Sequence, residues 1–260
     1  MGRRLGQHFL TKGAFLERIA KAACGGGEPF VIEIGPGRGA LTSHLIPHTQ
    51  RLLAIELDSQ LAAGLRSRFP AVEVVEADVL SVDLAQWGPA VIAGNLPYYI
   101  CSPILDRTLA LGSLLRAAVF LVQHEVAQRL VAKPGTRDYG YLTVRTQLRA
   151  EVELLFAVPA SAFHPPPKVE SAVVRLKPSD VPLVRDVEGF LKFAAMCFHM
   201  KRKNLRNNLS GSYPMIRDLP QATLRAEQLS LPDLVALYLS LAVRQVSRPA
   251  EGSPDPDSFA

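Results

Sequence analysis

The tetrapeptide Asn95-Leu96-Pro97-Tyr98 is the part of this chain best equipped for chemistry. The side-chain oxygen of Asn95 and the main-chain carbonyl of Leu96 can each accept one hydrogen of an amine, turning the nitrogen's lone pair toward an electrophile. An aromatic amine such as adenine N6 needs that help, because its lone pair is delocalised into the ring. Pro97 stiffens the loop, and Tyr98 offers a flat ring on which a displaced base can stack. No strong general base is required, since the amine proton turns acidic once nitrogen attacks a sulfonium methyl group. The loop therefore suits N-methylation of a base.

Such a reaction needs a methyl donor beside the loop, and three further segments read as its binding site. Val31-Ile32-Glu33-Ile34-Gly35-Pro36-Gly37-Arg38-Gly39 follows a strand and opens a helix. Gly35 and Gly37 permit a tight turn and let a ligand approach the backbone. The spacing is GxGxG, not the GxGxxG of a dinucleotide site, and the Lys-Ser/Thr ending of a phosphate-cradling loop is missing. A hydride-handling residue is not evident either, which disfavours an NAD-dependent dehydrogenase. Glu56 closes the next strand about twenty residues on, where a carboxylate accepts both ribose hydroxyls of an adenosine. Asp78, followed by Val79, ends the third strand and is placed to accept a hydrogen bond from the ligand's adenine amino group. Each carboxylate alone is compatible with an ordinary solvated strand end; at three successive strand ends the pattern points to one ligand site.

The elements that must hold these residues are legible as alternation. Apolar, β-rich runs at 30–34, 51–56, 72–77, 90–94 and 117–122 are separated by amphipathic stretches at 40–46, 59–68 and 103–111. Buried strands alternating with helices predict a parallel sheet covered on both faces. Residues 151–157 and 171–176 read as paired strands joined by the loop Phe163-His164-Pro165-Pro166-Pro167-Lys168. Helical periodicity resumes at 187–199, 201–209, 221–229 and 231–241. These patterns divide the chain into a catalytic domain at 1–180, a small all-helical domain at 181–247 and a disordered tail at 248–260.

Charge adds a partner class. The sequence carries +5 overall, with ten Lys/Arg against five Asp/Glu in residues 181–248 alone. A pI near 9.2 with its excess late in the chain favours a polyanionic partner. The apolar runs are strand length, too short to cross a bilayer, and the first ten residues hold no signal-peptide core, so a cytoplasmic protein is expected. Three widely spaced cysteines and six scattered histidines suggest neither a disulfide framework nor a metal site.

With these residues in view, the chain resembles the KsgA family of ribosomal RNA adenine dimethyltransferases, relatives of the Erm methylases, over roughly residues 3–245. Arg4-Leu5-Gly6-Gln7-His8-Phe9-Leu10 is similar to the family's RxGQxFL element, which closes over the cofactor. The tetrapeptide matches, Ser161 to Val173 resembles FxPxPKVxSxV, and Phe198 to Leu209 resembles FxxRRKxLxNxL. The resemblance implies a Rossmann-like class I methyltransferase with a mostly parallel seven-stranded sheet, a late hairpin supplying its antiparallel edge strand. It also implies S-adenosylmethionine bound by His8, Leu10, Gly35, Gly37, Glu56, Asp78, Val79 and Asn95. Catalysis falls to Asn95, Leu96, Pro97 and Tyr98, with Phe163 stacking on the target base opposite Tyr98. RNA binding falls to Lys201, Arg202, Lys203 and Arg206. The implied reaction is N6-dimethylation of two adjacent adenines near the 3′ end of 16S rRNA, in the small subunit or its precursor, by a monomer. Two positions depart from the pattern: His8 stands where the family most often has Asn, and Lys201 where it often has Arg. An Erm-like enzyme acting on 23S rRNA is the nearest alternative, disfavoured by Leu96 and the basic segment. A DNA adenine methyltransferase usually carries Asp or a second Pro in the tetrapeptide. From another class comes a non-catalytic RNA-binding assembly factor that keeps the fold.

Overall fold

A computed structural model describes residues 8–25, 27–179 and 183–246. The N-terminal Arg4 to Gln7 and the tail at 248–260, both singled out above, lie outside the described residues. In chain order the elements are β1 (Phe9–Leu10), α1 (Gly13–Cys24), β2 (Glu28–Ile34), α2 (Thr42–Leu45), β3 (Thr49–Glu56), α3 (Ser59–Arg68), β4 (Glu73–Glu76), β5 (Ala90–Asn95), α4 (Cys101–Leu109), β6 (Leu115–Gln123), α5 (His124–Leu130), α6 (Tyr141–Gln147), β7 (Ala150–Val158), β8 (Phe163–His164), β9 (Ser171–Pro178), α7 (Val187–Cys197), α8 (Leu205–Leu209) and α9 (Leu231–Val246). Their contacts gather into two compact units, Met1–Ala132 with Thr146–Val181 and Lys133–Arg145 with Pro182–Ala260.

The first unit is built on a seven-stranded sheet in the order β4-β3-β2-β5-β6-β9-β7. β2 runs parallel to both β3 and β5, so the chain winds outward from β2 in two directions. The reversal leaves a crevice beyond the carboxyl ends of β2 and β5, where open α/β sheets bind ligands. Phe30 to Ile34 and Ala118 to Val122 are fully or almost fully buried, as expected of strands covered on both faces. α1, which periodicity did not flag, buries Leu16, Ile19, Ala20 and Ala23 in the same apolar cluster as Val31, Val91 and Val119. Gly25, left-handed at φ 50°, then stops it. α3 begins where the carboxylate of Asp58 accepts the N–H groups of Gln60 and Leu61 at 2.9 and 3.1 Å.

The far side of the sheet differs from expectation. β9 is antiparallel to β6 and to β7 and lies between them, so the antiparallel strand is internal and β7 takes the edge. Burial accounts for it: Ser171 to Val174 are wholly buried, whereas β7 is half exposed along much of its length.

The second unit also departs from the sequence pattern. It includes Lys133–Arg145, so a single cut near residue 180 captures it only in part. Gly135 N–H donates to the carbonyl of Glu227 at 2.6 Å, and the buried ring of Tyr139 meets Phe198 edge-on at 6.0 Å. Only Leu205–Leu209 of the expected 201–209 helix forms. Asn204, extended at ψ 170°, caps it by accepting the N–H of Asn207, which leaves Lys201 to Lys203 in the preceding turn. The expected helix at 221–229 is instead two short 3-10 turns, at Pro220–Thr223 and Ala226–Gln228. Phe190, Phe193, Tyr213 and Tyr238 form the aromatic centre. Asp186 serves two elements there: one carboxylate oxygen caps α7 through the Gly189 N–H, and the other accepts the Tyr238 hydroxyl of α9 at 2.6 Å.

Candidate active site

A cavity of about 510 Å³ opens at the carboxyl ends of β2, β3 and β5, within the range of small-molecule sites. His8, Leu10, Gly35, Gly37, Glu56, Asp78, Val79 and Asn95 all line it, as do Leu96, Pro97 and Tyr98. Residues scattered over ninety positions thus meet because each sits at a strand end or just past one.

The glycine turn leaves β2 with Gly35 at φ 66° and Gly37 at φ 58°, a region other residues rarely adopt. A side chain on Gly37 would also strike the Phe9 ring, 2.9 Å from the position of its Cβ. Glu56 at the end of β3 braces this turn. Its Oε2 accepts the Gly37 N–H at 2.9 Å and its Oε1 accepts the Asp58 N–H at 3.0 Å, with the side chain only 4% exposed. Two backbone donors therefore fix the carboxylate plane, and the remaining acceptor positions are left for a ligand. Asp78 is exposed and anchored by the Leu80 N–H at 2.9 Å.

β5 delivers the tetrapeptide. Gly94 lets it run close against β2, since a Cβ there would lie 2.5 Å from the Ile34 carbonyl oxygen. Asn95 Nδ2 donates to the main-chain carbonyl of His8 at 3.2 Å, which leaves Oδ1 as the acceptor. The Leu96 N–H donates to the Leu121 carbonyl at 3.1 Å while its side chain is buried, so its own carbonyl is held in place. Pro97, at φ −60° and ψ 130°, starts the 3-10 turn that carries Tyr98. The Tyr98 hydroxyl shares a hydrogen bond of 3.0 Å with Ser171 Oγ, itself fully buried at the start of β9.

Phe163 does not join this group. β8 pairs antiparallel with β1, Leu10 opposite Phe163, and the pairing turns the phenylalanine into the core. Its ring is 4% exposed, packed in the cluster of Leu16 and Ile19, and does not line the cavity. Lys201, Arg202, Lys203 and Arg206 are exposed in the second unit. Lys201 is tied down, its Nζ donating to the Arg137 carbonyl at 2.7 Å.

Glu33 is a member of the site that the spacing argument passed over. It lines the cavity 1% exposed, and the Thr42 hydroxyl donates to its Oε2 at 2.6 Å. Burial pushes its carboxyl up to about 8, opposed by the Thr42 hydrogen bond and assisted by the charge of Glu56. An acid inside the apolar run Val31-Ile32-Glu33-Ile34 was the available signal. Among the described residues, no group of three or more His, Cys, Asp or Glu side chains could hold a metal ion. No helix there is long and apolar enough to cross a membrane.

An open sheet of this strand order, with a glycine turn, a Glu and an Asp converging on one cleft, defines a Rossmann-like class I methyltransferase. The family model for ribosomal RNA adenine dimethylase matches residues 2–231, and the chain belongs to that family. It is 42% identical over 241 residues to a ribosomal RNA small subunit methyltransferase A from Chlorobium chlorochromatii, covering 91% of this chain and 92% of that one. A crystal structure of a dimethyladenosine transferase from Plasmodium falciparum has the same fold, with a TM-score of 0.80 at 24% identity over 92% of this chain and 98% of that one. The 23S rRNA methyltransferase ErmE aligns with a TM-score of 0.71 at 29% identity, over 90% of this chain and 99% of that one.

Proposed function

We propose that this enzyme uses S-adenosylmethionine to dimethylate the N6 amines of two adjacent adenines near the 3′ end of 16S rRNA, acting on pre-30S particles in the biogenesis of the small subunit. The carrying observation is the fixed amide of Asn95: with Nδ2 committed to the His8 carbonyl, Oδ1 is the acceptor beside a cavity that also holds Glu56 and Asp78. Relatives named for the small subunit favour that RNA over the 23S target of an Erm-like enzyme.

The residues present fit the cofactor. Glu56 retains acceptor positions for a ribose diol, Asp78 lies exposed for an adenine amino group, and Gly35 and Gly37 open the backbone to close approach. His8, Leu10 and Val79 complete the walls. Bound there, S-adenosylmethionine supplies an electrophilic sulfonium methyl group. Asn95 Oδ1 and the Leu96 carbonyl accept the two N6 hydrogens and hold the nitrogen in line, a preorganised polar contact of the kind worth about 2.7–4 kcal/mol in a transition state. Pro97 keeps those acceptors rigid, and the Tyr98 ring, anchored through Ser171, supports the base. Lys201, Arg202, Lys203 and Arg206 contact RNA phosphates, making the helical unit the RNA-binding part of a cytoplasmic monomer.

Labelled methyl transfer to 30S particles lacking these modifications, followed by mapping of the modified bases, tests the reading. Dimethyladenine at two neighbouring positions of 16S rRNA is expected. Label in 23S rRNA would assign the Erm-like activity, and particle binding without label would assign a non-catalytic assembly factor.

A further inference from the structure

One short segment meets both halves of the active site. The His8 main-chain carbonyl accepts the Asn95 amide at 3.2 Å, while the next residue, Phe9, lays its ring against the glycine turn at Gly37. His8, Phe9 and Leu10 together form one wall of the cavity. Away from the turn, that wall is tied down by the two-residue pairing of β1 with β8 and by the Thr11 N–H and hydroxyl, which donate to the Ala162 carbonyl at 2.9 and 3.1 Å. Toward the turn the fastening is Arg38. Its guanidinium lies over the Phe9 ring, 5.0 Å from the centroid, within the reach of a cation–π contact. Its main chain is itself anchored, the carbonyl accepting a guanidinium N–H of Arg68 in the last turn of α3 at 3.2 Å. Phe9 thus meets Gly37, which has no side chain to push it off, and a cation over its ring. Arg38 is exposed and does not line the cavity.

We propose that Arg38 is a positioning residue: through Phe9 it holds the wall of His8 to Leu10 in place, and so sets how fast the cofactor is exchanged. This rests on the dimethylation read from the same site, in which each amine receives two methyl groups and the cofactor must be replaced between them. Passage in or out requires the wall to shift. With the wall closed in the free and the loaded protein alike, a weaker fastening speeds entry and release by the same factor and leaves Kd unchanged. A residue that touched the cofactor would change Kd instead. Shifting the wall also draws the His8 carbonyl away from Asn95, so each opening frees the amine-holding amide and each closure sets it again. Arg38 therefore acts on both halves of the site without reaching either the cofactor or the base.

Arg38→Met keeps a long side chain and removes its charge. A chase of bound, labelled S-adenosylmethionine gives the release rate, calorimetry gives Kd, and the two together give the entry rate. Amide hydrogen exchange at Thr11 reports on the wall in the cofactor-free protein. Losing an exposed cation–π contact should raise entry, release and Thr11 exchange roughly two- to fivefold, with Kd unchanged. Arg38→Lys keeps a cation and should return to within about twofold of wild type. In a Phe9→Leu background, Arg38→Met should add nothing, because the ring it acts on is gone. Wild-type rates in Arg38→Met, a change that Lys does not reverse, a change in Kd with exchange unaltered, or the same increment in Phe9→Leu would each overturn the role of Arg38. In a protein that binds cofactor and methylates 30S particles normally, any of these sinks the fastening alone. A wild-type protein that binds no S-adenosylmethionine overturns the functional reading and this role with it.

Discussion

Replacing Glu56 by Gln tests whether the cofactor site is assembled as the structure implies. The carboxylate takes one N–H from Gly37 and one from Asp58, at 2.9 and 3.0 Å, and is nearly excluded from water. An amide of the same shape offers one oxygen and one NH₂ group. Whichever way it is turned, a donor faces either the Gly37 or the Asp58 N–H, so one charge-assisted hydrogen bond is lost and a donor is left opposed. Hydrogen bonds to charged groups contribute about 1.5–3 kcal/mol, which sets the expected loss of folding stability. The carboxylate is also the acceptor proposed for the ribose hydroxyls, whose loss should weaken S-adenosylmethionine by roughly 1–3 kcal/mol, or about 5- to 150-fold in Kd. Glu56→Ala should weaken binding at least as much. Titration calorimetry at fixed pH gives Kd, and urea unfolding gives stability. Folded Glu56→Gln protein binding cofactor with wild-type affinity would refute the placement of the ribose.

Asn95→Ala should lower turnover by about two to three orders of magnitude while cofactor and particle binding stay nearly intact, measured in single-turnover and binding assays; dimethylation at the normal rate would sink the amine-holding role. Glu33 gives a pH prediction. Its carboxyl sits at about 8 in the fold against an ordinary value of 4.5, so between these pH values the folded chain binds the extra proton and stability falls as pH rises, by up to about 1.4 kcal/mol per pH unit from this group. Urea midpoints of Glu33→Gln should lose that slope, and curves parallel to wild type would show that Glu33 is not the group titrating. Neutralising Arg202, Lys203 and Arg206 together should flatten the salt dependence of particle binding by about two to three units of slope without changing cofactor affinity; an unchanged slope would place RNA elsewhere.

Much of this molecule was written in local pattern. The runs that became β2, β3, β5 and β6 are apolar because they are covered on both faces, and that character needs no knowledge of distant residues. Gly35, Glu56, Asp78 and Asn95 were legible for a related reason. In a parallel sheet the carboxyl ends of successive strands lie on one rim, so residues that close strands converge wherever the strands do. What the sequence could not set were choices made by distant partners. The burial of Phe163 follows from its pairing with Leu10, 153 positions away, and the internal place of β9 from its fit between β6 and β7. The segment Lys133–Arg145 joined the second unit through Gly135 and Tyr139, which nothing nearby in sequence announces. Lys201 to Lys203 have helical periodicity, yet the cap at Asn204 starts the helix after them. His8 reads as one motif position among several; only its placement beside Asn95 gives its carbonyl the work of orienting that amide, because a residue's neighbours are fixed by tertiary packing and not by its own identity.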